Sequence, residues 1–235
     1  MRCLGVIGGM SWESTALYYR LLNQHVAARL GGLHSARLQL HSVDFAPVAA
    51  MLARADWDAI AQHLGEAARG LKAAGASGLV LATNTMHKVA DRIEAAAQLP
   101  VLHIADATAA ALSAAGFSRV GLLGTRFTME DEDIISTRLA ERGEVQVIVP
   151  GTDDRTEVHR VIFDELCRGV IDAGSRERYV SIIGRLRDQG AQAVILGCTE
   201  ITLLIDATCS PLPVFDSTAL HAAAAAEWMF GSPTT

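Results

Sequence analysis

The chain has 235 residues, half of them hydrophobic and 20% charged, with a formal net charge of −6 and a pI near 5.7. That composition can bury a core and excludes a disordered chain, while the lack of a basic surplus argues against nucleic acid as a partner. No run approaches the roughly 20 apolar residues of a membrane-spanning helix, and the first apolar run is too short for a secretory leader. The four cysteines, Cys3, Cys167, Cys198 and Cys209, make no CxxC pair. Together these features predict a cytoplasmic protein with free thiols, no membrane association and no metal centre.

Leu4–Ile7 ends in Gly8-Gly9 and predicts a buried strand. Ser11 can cap a helix that turns Leu17, Leu21 and Leu22 inward and stops at Gly31-Gly32. Leu38-Gln39-Leu40 alternates like a strand. Asp56 can cap a helix carrying Ile60, Leu64, Ala67, Ala68 and Leu71, which ends at Gly75. Residues 78–82, Val101–Ile104, Arg119–Leu123 and Val145–Val149 read as further strands. Two helices follow, one through Val161, Ile162 and Leu166 and one through Val180–Leu186, with Gly174 and Gly190 as their stops. Ala193–Leu196 is a strand, and a last helix runs from about Ser217 to Phe230. Strands alternating with helices predict βαβ units and mostly parallel sheets.

Three anchors recur in the same order at a spacing of about 115 residues, too long for a solenoid. Gly5-Val-Ile-Gly-Gly returns as Gly121-Leu-Leu-Gly-Thr, and Leu79-Val-Leu-Ala-Thr-Asn-Thr as Val194-Ile-Leu-Gly-Cys-Thr-Glu. Leu99-Pro-Val-Leu-His returns as Leu212-Pro-Val-Phe-Asp, each entering an Ala-rich helix. The prediction is a duplicated α/β domain. Ligands of parallel α/β sheets bind at the carboxyl ends of strands. Matched strand ends then supply matched site elements; if the halves face each other about a pseudo-twofold axis, Thr83 and Cys198 point at one cleft from opposite sides.

Cys198 precedes a short predicted helix, whose N-terminus would favour a thiolate base near neutral pH. Cys3, Cys167 and Cys209 lack that setting and read as structural. Thr83-Asn84-Thr85 can cap a helix or hold a carboxylate, and Ser11 and Thr125 have the same double reading. His87 reads as a packed imidazole. Asp164 and Glu165 lie on a helix whose polar face carries one of them, with Glu165 a candidate for a substrate ammonium. HExxH, Walker and GxGxxG patterns are absent from the sequence.

At these residues the sequence resembles the aspartate/glutamate racemase family of cofactor-independent amino-acid racemases. The resemblance is carried by Gly8-Gly-Met-Ser-Trp-Glu-Ser-Thr, Thr83-Asn-Thr-Met-His-Lys, Leu123-Gly-Thr-Arg-Phe-Thr-Met, Ile162-Phe-Asp-Glu-Leu and Gly197-Cys-Thr-Glu, in family order over nearly the whole chain. It implies two α/β domains in pseudo-twofold relation, here 1–98 with 212–235, and 99–211, with the site between them. It also implies a homodimer, no cofactor and a small acidic amino acid as substrate. The family pattern places a cysteine on each side of the substrate α-carbon. Here Cys198 holds the second position and Thr83 the first, as in a subset with threonine there that acts on L-aspartate or L-glutamate. The resemblance makes Cys198 the base on the L side and Thr83 the proton donor on the other. Asn84, Thr85, Thr125 and Thr199 become carboxylate-holding residues, and Met10 and Ser11 border the substrate. Arg54 and Arg126 are candidates for the side-chain carboxylate. Two other functions fit the same residues: a single-thiol decarboxylase or isomerase of a small dicarboxylate, and a two-lobed protein that binds an acidic amino acid without turning it over.

Overall fold

The structure, a computed structural model, describes residues 1–231 and divides into two compact units. One comprises Met1–His103 and the segment from His221 on; the other is Ile104–Leu220.

The first unit contains β1 (Leu4–Gly8), α1 (Trp12–Leu30), β2 (Leu38–Ser42), α2 (Phe45–Ala53), α3 (Trp57–Ala73), β3 (Gly78–Leu81), a 3₁₀ turn (Thr85–Val89) and α4 (Ala90–Ala97). Its sheet is parallel with order β2-β1-β3; Leu4 pairs with both Leu38 and Gly78. β1 and β3 are buried along their length, as continuous apolar strands covered on both faces must be. Helix α1 carries Tyr18 and Leu22 into a core with Leu4, Val6 and Val80. Leu17 and Leu21, expected inward, are only partly buried.

The second unit contains α5 (Ile104–Ala114), β4 (Arg119–Leu123), α6 (Arg126–Glu130), α7 (Ser136–Gly143), β5 (Gln146–Ile148) and α8 (Thr152–Asp164). A 3₁₀ turn (Leu166–Arg168), α9 (Ala173–Asp188), β6 (Ala193–Leu196), a 3₁₀ turn (Thr199–Leu203) and β7 (Val214–Asp216) complete it, and α10 (Ser217–Met229) begins in it. The sheet is parallel with order β5-β4-β6-β7. Leu122, Val194 and Ile195 meet Ile182 and Leu186 of α9 and Val161 of α8 in its core.

The sequence repeat is a repeat of topology. β1, β2 and β3 correspond to β4, β5 and β6, and a lone parallel bridge from Leu79 to Val101 stands where β6 pairs with β7. Three local expectations change. Val101–Ile104 forms only that bridge, because Ile104 already starts α5. Gly174 lies in the first turn of α9, and the turn before it closes at Gly169, whose φ of +74° suits glycine. Leu102 N–H donates to Leu79 O at 2.8 Å, which keeps residues 99–103 in the first unit, while Val214–Asp216 pairs with β6 and the chain returns to the first unit at His221. No helix among the described residues is long and apolar enough to cross a membrane.

Candidate active site

In the first unit the turn after β1 is closed by Thr15. Its hydroxyl donates to Ser11 O and accepts the Gly9 N–H, both at 2.8 Å. A Cβ on Gly8 would lie 2.4 Å from the Thr15 methyl, and one on Gly9 (φ +93°) 2.1 Å from Val43 O. Both glycines are therefore required for the turn that presents Met10 and Ser11. Ser11 caps α1, accepting the Ser14 N–H at 3.3 Å, and Met10 is buried.

Thr83 is partly buried just beyond the last ladder residue of β3, and Asn84 and Thr85 are buried. The carbonyl of Asn84 faces two groups of His87: its backbone N–H at 3.1 Å and its ring Nδ1 at 3.3 Å. His87 is buried with His103 and His221, ring centroids 4.5 and 5.5 Å away. His221 Nε2 donates to Leu102 O at 2.7 Å, so its neutral form accepts the Tyr18 hydroxyl at Nδ1, 2.8 Å away. Burial first, then the two neighbouring imidazoles, hold His87 well below the ordinary imidazole range. Among the described residues no three His, Cys, Asp or Glu side chains are arranged to hold a metal.

The second unit repeats this construction with different chemistry. Thr125 caps α6, accepting the Thr128 N–H at 3.3 Å. Gly197 N–H donates to Leu123 O at 2.6 Å and sets the end of β6 beside that of β4. Cys198 follows, partly buried. Its Sγ–H donates to Glu200 Oε2 at 2.9 Å, and the Thr199 hydroxyl donates to the same oxygen at 2.8 Å.

The expected low thiol pKa is corrected by this geometry. Burial, then the Glu200 carboxylate, push the Cys198 thiol well above its usual range. The 3₁₀ turn that follows has only five residues, too few for a substantial dipole to offset them. Glu200, buried in the strand-end motif, had no role assigned from sequence; its position two residues after the thiol was the available signal.

Glu165 caps the end of α8. It accepts the Ser175 hydroxyl at 2.5 Å and pairs with Arg160 at 2.9 Å. Arg160 also holds Glu157, so this carboxylate belongs to an ion-pair network within the unit. Asp164 is exposed, 3.7 Å from Arg168. Arg54 and Arg126 are exposed and make no ion pair among the described residues. Cys3 is buried and Cys209 partly buried, but Cys167, read as structural, is exposed. Desolvation of its sulfur and the Glu200 charge push its thiol up to about 11.

The chain matches the Asp/Glu/hydantoin racemase family over residues 7–225. It is 54% identical to a candidate Asp/Glu racemase from Yersinia pestis, covering 98% of this chain and 100% of that one, with a TM-score of 0.92. It is 32% identical to an aspartate racemase homologue from Pyrococcus horikoshii, covering 98% and 100%, with a TM-score of 0.83. An aspartate racemase from Picrophilus torridus shares the fold at 23% identity, 97% and 95% coverage and a TM-score of 0.74. With matched glycine turns, a hydroxyl after β3 and a thiol–carboxylate pair after β6, the chain belongs to the Asp/Glu/hydantoin racemase family and is an enzyme of the amino-acid racemase kind.

Proposed function

We propose that this enzyme interconverts the enantiomers of aspartate, glutamate or both, without a cofactor, by removing and returning the proton at Cα. The observation that carries this reading is the Cys198–Glu200 hydrogen bond at the carboxyl end of β6, in a chain of this family. A thiol with a raised pKa is scarce as a thiolate but strongly basic once ionised. Glu200 accepts the thiol proton, so the pair carries one negative charge and the repulsion between thiolate and carboxylate disappears. The thiolate then takes the α-proton of the L-enantiomer. The Thr83 hydroxyl delivers a proton to the opposite face and is reprotonated from water, and Glu200 gives the proton it accepted to the hydroxide so formed, which restores the starting thiol–carboxylate pair. Thr83 is the weaker partner, since its alkoxide is far harder to form than a thiolate.

The carbanion places charge on the substrate carboxylate as it forms. Donors at Asn84, Thr85, Thr125 and Thr199 hold that carboxylate, and fixed donors stabilise such charge without reorganising. Met10 and Ser11 border the substrate, and Arg54 and Arg126 are the candidate cations for its side-chain carboxylate. Glu165, held by Arg160 and Ser175, is a secondary contact. A homodimer in the cytoplasm completes the proposal.

Chiral chromatography of L-aspartate and L-glutamate incubated with the purified enzyme tests it. The D-enantiomer should accumulate toward an equal mixture, and Cys198→Ser should stop this. A wild-type enzyme that racemises neither amino acid but decarboxylates a malonate-type diacid would overturn it.

A further inference from the structure

The side chains that follow the two proposed catalytic positions share a bond that the proposed mechanism does not use. Three residues after Asn84, His87 turns its ring Nδ1 back on the Asn84 carbonyl at 3.3 Å. Three residues after Thr199, Thr202 donates its hydroxyl to the Thr199 carbonyl at 2.7 Å. A carbonyl only accepts, so the facing atoms must be Nδ1–H and Oγ1–H. A single back-bond of this kind is ordinary for threonine. Here it recurs at the corresponding position of both halves, made by unrelated side chains, each time on the residue that follows the proposed proton carrier.

We propose that His87 and Thr202 are paired positioning residues, which fix the backbone turn carrying Thr83 in the first unit and Cys198 in the second. The proposal rests on the racemase reading for its kinetic consequence but not for the bond itself. Thr83 and Cys198 lie just past their strands, so the β-ladder does not set their orientation. The 3₁₀ turns that follow are short, and 3₁₀ bonds are weaker than α-helical ones. A side-chain donor on the next carbonyl therefore sets the direction of the preceding side chain, where an error of an ångström has a large effect on rate.

The first-unit clamp is the more elaborate. His103 and His221 pack on the His87 ring, and His221 is tied to Leu102 and Tyr18. The ring is thereby held by α1, by the segment after the Val101 bridge and by α10. The second-unit clamp needs no such support, because a threonine hydroxyl reaches its own turn directly.

The test uses isosteric and donor-conserving variants of the full chain, with circular dichroism to follow folding. Thr202→Val keeps shape and removes the donor. It should lower kcat for L-substrate about tenfold or more, with KM within about twofold. Thr202→Ser should restore kcat to within about threefold. His87→Leu should impair exchange from the D-enantiomer more than from the L, and His87→Asn, which keeps a donor near Nδ1, should recover part of it. Equal kcat for Thr202→Val and wild type, or equal damage in the Ser and Val variants, would overturn the proposal. Imidazole ¹⁵N NMR decides the bond without any activity. A neutral His87 carrying its proton on Nδ1 supports the clamp, and an Nε2–H tautomer refutes it. A wild-type enzyme that racemises nothing would sink the racemase reading, and the tautomer would still decide the clamp.

Discussion

At the end of β3 the first unit carries an alcohol, Thr83, on a turn backed by three buried imidazoles. At the end of β6 the second unit carries a thiol, Cys198, hydrogen-bonded to a buried carboxylate. The backbones correspond strand for strand, and a glycine turn and a hydroxyl cap precede each site on the neighbouring strand. The two halves thus share a scaffold and differ in the side chains it presents. On the proposed mechanism one half carries a group that becomes a base by handing its proton to a neighbour. The other carries a hydroxyl that, on the same mechanism, passes a proton but hardly takes one.

Removing the thiol should break this comparison most severely. Cys198→Ala should lower α-proton exchange about 10³-fold or more, within the range general-base catalysis supplies. NMR of substrate in heavy water reads the loss, and near wild-type exchange would contradict the assignment. Thr83→Ala is expected to act on one side only: racemisation should fall about 10²-fold while exchange from the L-enantiomer persists. Equal loss of both would place Thr83 in a general structural role.

Glu200→Gln should cost about 10²-fold in turnover and shift reactivity in a defined direction. The thiol keeps an acceptor but loses the carboxylate charge that raises its pKa, so Cys198 should ionise at lower pH than in wild type. Mass spectrometry of Cys198 alkylation against pH reads this directly. An unchanged or raised ionisation midpoint would mean that burial alone sets the thiol.

The smallest expected effect is on stability. His87 is held below the ordinary imidazole value of 6.5 by burial, His103 and His221. Above pH 6.5 the ring is neutral in both folded and unfolded chains and contributes no pH dependence. Below it the unfolded chain binds the proton first, so stability falls toward the folded-state pKa, by up to about 1.4 kcal/mol per pH unit for each such proton. Thermal unfolding at pH 7.5 and 5.5 should show this loss in wild type and a smaller one in His87→Asn. An identical slope in the two proteins would remove His87 from the account.

Much of this arrangement was legible in the sequence, because strand ends are local. Gly8-Gly9, Thr83-Asn84 and Gly197-Cys198 each follow an apolar run, and the common spacing revealed the repeat. The Ser11 and Thr125 caps were readable for the same reason. The imidazole cluster was not: Tyr18, His87, His103 and His221 come from four distant segments, and periodicity says which face is buried but not which buried polar groups meet. The Cys198 pKa was misjudged because helix position was weighed without the carboxylate two residues away. In an extended strand residues two apart share a face but stand about 7 Å apart, whereas the 3₁₀ turn beginning at Thr199 brings Glu200 within hydrogen-bond distance of the sulfur. Residues 101–104 read as a strand on their apolar content alone, although a helix starts at Ile104.

On the proposed mechanism the two halves differ in which of them can act as a base. For free aspartate or glutamate the enantiomers have equal energy, so kcat/KM must balance between directions and the asymmetry must be sought in exchange. The direct measurement is initial α-deuterium incorporation from each enantiomer in heavy water, for wild type and Thr83→Cys. Wild type should deuterate L-substrate, with retention, faster than D-substrate, and Thr83→Cys should narrow the gap by raising the D-side rate. Equal incorporation from both enantiomers, unchanged by the added thiol, would contradict it.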